Sequence, residues 1–389
     1  MHLSILFSLL TCAAAVPTKR QHPAPLRPIS DNATAIPGQY IIVFKDEVTS
    51  SGFSDVMELY SDDFNYMYVY EDIFKGFTTS LNEHNLKVWQ DHPDVEYIEP
   101  DQIAYGSTIT QQATAPWGLS RISHRRPGSL EYVYDSSGGE GVCAYVIDSG
   151  VDDTHFEFEG RASQVATFVW GSKVDDNGHG THVAGTIGGR TYGVAKGVKI
   201  FGVKVLGSDN EGDFSAIIAG MDYVHRDVKK RYCPNGVVVN LSLTGPLSYA
   251  ANQAAARLAH AGFFVAVAAG NYNSDARQYS PAAEASICTV GATAKFDTRY
   301  EMSNWGPAVD ILAPGVEIIS TLPGNRYGFL SGTSMAAPHI TGLAAYLAAS
   351  RGQRAGPWLC QLMQQISTPG VITDQVPNTV NLVAFNGAT

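Results

Sequence analysis

Charge is scarce in this sequence: Asp, Glu, Lys and Arg make up 16% of its 389 residues. With abundant glycine and alanine, that scarcity excludes a disordered or coiled-coil chain and indicates tight α/β packing. There is no Lys/Arg run or basic stripe, so the chain lacks the phosphate-tracking surface that nucleic-acid binding requires. No apolar run reaches the ~20 residues of a membrane-spanning helix. Cysteine is sparse as well, with five in the whole chain.

What charge there is lies unevenly. Residues 1–107 hold 6 Lys+Arg against 15 Asp+Glu, and the remainder holds 20 against 22. The acidity belongs to the front third. At this length two folded units with tails are expected. Met1–Ala15 is short and apolar and ends in the small-residue run Cys12-Ala13-Ala14-Ala15-Val16, which reads as a signal peptide over residues 1–15 with secretion as the consequence. Cys12 leaves with it. Cys143, Cys233, Cys288 and Cys360 remain, an even number that reads as two disulfides with three possible pairings.

Residues 16–37 are proline-rich, carry the sequon Asn32-Ala33-Thr34 and read as a linker. A compact unit is expected over residues 38–109, with elements in the order β-α-β-β-α-β: strands at 39–45, 65–70, 73–81 and 95–98, helices at 52–60 and 83–91. That is the ferredoxin-like α+β pattern. Gly106–Ala115 is small and polar, an exposed joint. From residue 110 onward, apolar strands at 142–147, 199–205, 237–243, 263–268 and 287–292 alternate with helical stretches at 215–229, 250–261 and 338–350. This alternation predicts a parallel sheet covered on both faces, with functional residues just after the strands.

The most informative stretch is Ser331–Ser350, SGTSMAAPHITGLAAYLAAS. It is apolar nearly all round and therefore predicts a core helix. Its start is compressed by Gly332-Thr333, which projects the Ser334 hydroxyl at the positive helix end. Pro338 has no N–H to give, so the Ser334 carbonyl loses its helical partner. Taken alone, Ser334 is an ordinary N-cap. Asp148 ends the strand VCAYVID, where it reads either as an Asx turn or as an acid that fixes a histidine tautomer. His179 stands among glycines in Asp176-Asn177-Gly178-His179-Gly180-Thr181-His182, poised for proton transfer near neutral pH. His182 lacks a third metal ligand and reads as a packing residue. Asn271 follows the strand Phe263–Gly270 and offers an amide to an oxyanion.

Together YVIDSGV around Asp148, DNGHGTHVAG around His179, VAVAAGN ending at Asn271 and SGTSMAAPH around Ser334 resemble the secreted subtilisin-type serine proteases of the proteinase K group. The resemblance runs from about residue 39 to the C-terminus and implies a subtilisin-like three-layer fold with a parallel central sheet. It also implies that Ser334 is the nucleophile, His179 the general base and Asp148 its orienting acid, with Asn271 in the oxyanion hole. Ser242, Leu243, Thr244 and Gly245, with Ala268, Ala269 and Gly270, match the walls of the primary specificity pocket. Their small size implies cleavage after large apolar or aromatic residues. Residues 38–109, through GFTTSL and HPDVEYIEPD, resemble the family's inhibitory propeptide, which implies a self-processing zymogen with a mature start near Thr110. The resemblance pairs Cys143 with Cys233 and Cys288 with Cys360. It also implies a structural calcium site at Asp310 with the carbonyls of Ala285 and Ile287, and no catalytic cofactor.

The expected partners are protein and peptide substrates and the chain's own propeptide; a monomer is expected, without nucleic acid or membrane. Three departures stand out. Val183 replaces a cysteine frequent in relatives. Val371 stands where a second, weaker calcium site needs a carboxylate. The loop Gly207–Phe214 carries Asn210 and Glu211, and Asp209, Glu211 and Asp213 make it acidic. A catalytically silent homologue would lack a triad or oxyanion residue, and all four are present. The remaining alternative is a chain that acts chiefly as a protease inhibitor through residues 39–105. Asn240-Leu241-Ser242 is a formal sequon inside an expected buried strand, a poor site for glycosylation.

Overall fold

The computed structural model describes residues 22–29, 35–61, 63–102 and 109–388, which fall into two compact units divided between Tyr105 and Gly106. The expected signal peptide and the Asn32 sequon lie outside the described residues.

The front unit runs β1 (Ala35–Phe44), α1 (Ser50–Leu59), β2 (Tyr66–Tyr70), β3 (Gly76–Ser80), α2 (Glu83–Asp91) and β4 (Val95–Gln102). Its sheet has the order β2-β3-β1-β4, the arrangement expected of the ferredoxin-like pattern. Both helices begin on side-chain caps: Thr49 Oγ1 accepts from Gly52 N at 3.1 Å and Asn82 Oδ1 from Asn85 N at 2.8 Å. One expectation needs correcting. Part of the stretch read as linker, residues 16–37, is packed: Ala24 is buried, Leu26 bridges Ile98 in parallel, and Arg27 N donates to Ile98 O at 2.7 Å. Prolines hid this edge from a pattern search, because a chain at a sheet edge tolerates missing donors.

The second unit opens with β5 (Ile109–Gln112), α3 (Trp117–Ser123) and β6 (Tyr132–Asp135). It continues through β7 (Cys143–Asp148), β8 (Ala162–Thr167), α4 (His179–Gly188), β9 (Lys199–Lys204), α5 (Phe214–Asp227), β10 (Val237–Leu241), β11 (Gly245–Pro246) and α6 (Tyr249–His260). Next come β12 (Phe264–Ala268), β13 (Tyr279–Ser280), β14 (Cys288–Thr293), β15 (Ile311–Pro314), β16 (Ile318–Leu322) and β17 (Arg326–Leu330). α7 (Thr333–Ser350), α8 (Trp358–Ile366), β18 (Thr368–Pro369) and β19 (Leu382–Val383) complete it. The main sheet has the order β18-β19-β15-β14-β12-β10-β7-β9-β8 and is parallel except for β18. The strands β7, β10, β12 and β14 are buried along their whole length, as their near-continuous apolar runs require.

One apolar cluster lies on the α4 and α7 side of this sheet and another on the α5 and α6 side, which gives the three layers expected. α7 packs on β10, β12, β14 and β15. Among the described residues, Cys143 is bonded to Cys233 and Cys288 to Cys360 as disulfides. Asn240 is fully buried on β10 and hydrogen-bonded to Ser242 and Thr341, so its sequon is inaccessible. Among the described residues, no helix is long and apolar enough to cross a membrane.

Candidate active site

β7 delivers Asp148 to its carboxyl end, where the side chain is fully buried. Asp148 Oδ1 accepts from Ser149 N at 2.7 Å and from His179 Nδ1 at 2.7 Å, so the imidazole is tied down by one nitrogen and its Nε2 is left for chemistry. His179 is the first residue of α4, and its side chain is 12% exposed. Gly178 before it has φ 107°, and a Cβ on Gly180 after it would collide with Gly150 O. Glycine at both positions lets the histidine's turn lie directly against the aspartate's turn. Burial opposes charging of the imidazole, yet the Asp148 carboxylate and its hydrogen bond outweigh burial, Asp175 adds to them, and the His179 pKa is raised above 6.5.

Ser334 stands in the first turn of α7, which packs against α4. The carbonyl that Pro338 leaves without a helical donor has found another: Ser242 Oγ donates to Ser334 O at 2.7 Å. In return Ser334 Oγ donates to Ser242 O at 3.1 Å. The hydroxyl therefore has to rotate from this carbonyl to reach a base. Met335, next in the chain, is buried.

Asn271 follows β12. Its Oδ1 accepts from Thr333 N at 2.8 Å and from Thr333 Oγ1 at 3.0 Å, which fixes the amide against the start of α7 by its oxygen. The amide lies close to Gly332, its nitrogen 3.2 Å and its oxygen 3.4 Å from where a Cβ on that glycine would stand. Gly270, with φ 106°, makes the bend before it. Asn304 holds the loop: its Nδ2 donates to Ala269 O at 2.9 Å, and its Oδ1 accepts from Tyr272 N at 2.9 Å.

A cleft of about 620 Å³ carries Ser334 and Asn271 in its wall, together with Ser242, Leu243, Thr244 and Gly245. Phe214 closes one side by packing where a Cβ on Gly245 would be. Asn210, Glu211 and Asp213 form the rim. Ala268, Ala269 and Gly270 are not part of this wall. They are buried beside it, joined to it where Thr244 Oγ1 donates to Ala268 O at 3.4 Å. His182 is a packing residue, as expected: its Nε2 lies 2.8 Å from Ile318 O, and burial lowers its pKa to about 4.

At the far end of β15, Asp310 faces a cavity of about 190 Å³ lined also by Ala285, Ile287 and Gln364. Burial raises its carboxyl to about 6, against one hydrogen bond from Thr289 N at 2.8 Å. The nearby sulfurs of Cys288 and Cys360 are joined to each other and are not metal ligands.

Sequence reading missed four side chains here: Thr333, Asn304, Lys204 and Asp175. Lys204 is fully buried, with Nζ donating to Ser149 O, Asp176 Oδ1 and Leu206 O at 2.7 to 2.9 Å. Asp175 stands one residue before the histidine motif, and nothing local distinguishes it from Asp176. Only the fold shows that Asp175 is turned inward.

The chain matches the Subtilase family over residues 139–365 and the peptidase inhibitor I9 family over residues 39–105. It is 48% identical over 392 residues to a cuticle-degrading protease of Metarhizium anisopliae, covering 100% of both chains. It is 49% identical over 391 residues to proteinase R of Parengyodontium album, covering 99% of each. With the alkaline serine protease ver112 of Corniculantispora psalliotae the identity is 50% over 389 residues, covering 100% of both. The crystal structure of a cold adapted subtilisin-like serine proteinase superposes with TM-score 0.67 at 40% identity, covering 71% of this chain and 100% of that one. With an aspartate, a histidine and a serine in that order at the carboxyl edge of a parallel sheet, and an I9 inhibitor unit ahead of them, the chain belongs to the subtilase family as a subtilisin-like serine protease with a propeptide.

Proposed function

We propose that the chain is a secreted, self-processing endopeptidase in which Ser334 attacks the scissile carbonyl, His179 takes the serine proton and gives it to the leaving amine, and Asp148 holds the imidazolium. The observation that carries this reading is the 2.7 Å bond between Asp148 and His179 of α4, beside a helix α7 whose first turn puts Ser334 in the cleft wall. Asn271 Nδ2 and the Ser334 N–H stabilise the oxyanion. A donor of this kind typically accounts for ~10²–10³ in kcat. Residues 1–15 serve as signal peptide, 16–37 lead into the propeptide with Ala24–Arg27 packed on its sheet, 38–109 form the inhibitory domain and 110–389 the mature enzyme.

The cleft wall of Leu243, Thr244 and Gly245 suits large apolar or aromatic residues before the scissile bond. Comparing kcat/KM for peptides with Phe, Leu and Lys at that position tests the assignment. Phe and Leu are expected to exceed Lys. A strong Lys preference would overturn it and favour the acidic rim of Glu211 and Asp213 as the selector.

We also infer a structural calcium ion at Asp310 with the carbonyls of Ala285 and Ile287. A half-buried carboxylate with a raised pKa, facing a cavity walled in part by those two residues, fits a hard oxygen-seeking cation. When bound, the ion would neutralise Asp310 and brace the segment before β14.

A further inference from the structure

Besides Asp148, a second buried carboxylate stands at the turn that carries His179. Asp175 is 4% exposed. Its Oδ1 accepts from Ser149 Oγ at 2.9 Å, Gly178 N at 2.8 Å and Asn177 N at 3.1 Å. Its Oδ2 accepts from Thr181 N at 2.9 Å and Thr181 Oγ1 at 2.5 Å. Ser149 Oγ in turn accepts from Gly180 N at 2.9 Å, so one carboxylate gathers the residue after Asp148 and the residues on both sides of His179. Three of its five donors are backbone N–H groups at the start of α4, where negative charge is favoured. A carboxylate held by five donors is rigid.

We propose that Asp175 is a positioning residue for the reaction: it clamps the Asp148 turn to the His179 turn, and its fixed charge adds to that of Asp148 in stabilising the imidazolium. The inference rests on the reading of His179 as general base. The charges that act on the imidazole are Asp148 on β7 and Asp175 on the loop before α4; Asp176 on that loop and Lys204 at the end of β9 bind each other, and His182 on α4 and His339 on α7 are the neighbouring imidazoles. Lys204 is matched by Asp176 at 2.8 Å. His182 is held neutral by burial, with a pKa lowered to about 4. Asp148 and Asp175 are the two charges that favour protonation of His179.

The test is the pH profile of kcat/KM for the mature enzyme and its variants. Asp175→Asn keeps the shape and removes the charge. The acid limb is expected to move down by about half a unit or more, with kcat falling ~10-fold and KM changing little. Asp175→Glu restores the charge without the geometry, and is expected to return the limb to its wild-type position while kcat stays low. An unmoved limb in Asp175→Asn overturns the proposal, even where the variant is less stable, because a purely structural residue lowers stability without shifting that limb.

Should Asp175→Asn fail to mature, Ser149→Ala decides the clamp, since it leaves both charges and removes the hydroxyl that joins the turns. A fall in kcat of about fivefold or more with an unchanged limb supports the proposal, and a kcat within about twofold of wild type overturns it. His179→Ala separates this inference from the reading beneath it. If that variant keeps wild-type kcat, the general-base assignment fails. If it is inactive while Asp175→Asn is normal in both limb and kcat, the assignment stands and the inference about Asp175 falls.

Discussion

The front unit closes its core around one indole, whereas the second unit packs alanine and glycine against a sheet. Trp89 is fully buried, with the rings of Tyr60, Phe64, Phe77 and His92 centred within 4.8 to 5.6 Å of its own. Among the described residues no disulfide lies in that unit, and the indole Nε1 is buried without a partner. In the second unit Ala336, Ala337, Ala344, Ala345 and Ala348 of α7 are all buried, and Gly342 faces Val194 and Ile187 where no Cβ would fit. Small side chains bring α7 close to both the sheet and α4, and two disulfides tie the chain further. One unit depends on a hub and the other on many close contacts. That difference suits a domain that is discarded and a domain that must hold catalytic groups within fractions of an ångström.

The sharpest way to break this comparison is Trp89→Ala in the full Ser334→Ala chain. Removing a buried indole costs about 3–5 kcal/mol, comparable to the whole stability of a unit this small. The front unit's transition in a thermal scan is expected to vanish while the second unit's persists. Loss of both transitions together would mean that the second unit is not stable by itself.

Acid acts mainly on the other side. His182 and His339 are fully or almost fully buried, and burial lowers both pKa values from 6.5 to about 4. The unfolded chain takes up protons at these sites below about pH 6.5, so their contribution is complete above that pH and is lost as pH falls toward 4. Each histidine accounts for at most ~3 kcal/mol. The unfolding midpoint of the mature enzyme is expected to drop between pH 6.5 and 4, and less in a variant with both replaced by glutamine. A midpoint that falls as much in the double-glutamine variant as in the wild type would contradict the assignment.

The smallest effect expected is that of calcium. A chelator should lower the second unit's transition and leave the front unit's unchanged, by about 2.7 kcal/mol where calcium stands at 100 times its Kd. Asp310→Asn should abolish the difference. A chelator effect that survives Asp310→Asn would place the ion elsewhere.

Much of the second unit is legible in the amino-acid sequence itself. β7, β9, β10, β12 and β14 appear there as short apolar runs bounded by small residues; Asp148 ends one of them and Asn271 stands three residues beyond another. β15, β16 and β17 do not stand out, because Ile311–Pro314 is too short for periodicity and the β16–β17 hairpin alternates weakly. At the site, the groups that motifs name are visible in the sequence, and those that hold them are not. The loss of a helical donor at Pro338 follows from proline's chemistry, but that Ser242 supplies the replacement depends on β10 lying beside α7. Asp175 and Thr333 are likewise defined by long-range neighbours. The expected pocket segment Ala268–Gly270 matches by motif, yet its burial keeps it behind the cleft wall.

The central claim is that Ser334 is the nucleophile of a protease that removes its own front unit. Intact mass and N-terminal sequencing of the secreted wild type beside Ser334→Ala test it most directly. The account predicts a wild type that begins near Thr110 and a mutant that retains residues 38–109. Identical processing of the two would assign the cut to another protease and contradict self-processing, and a wild type that keeps its front unit and shows no hydrolysis would contradict the account as a whole.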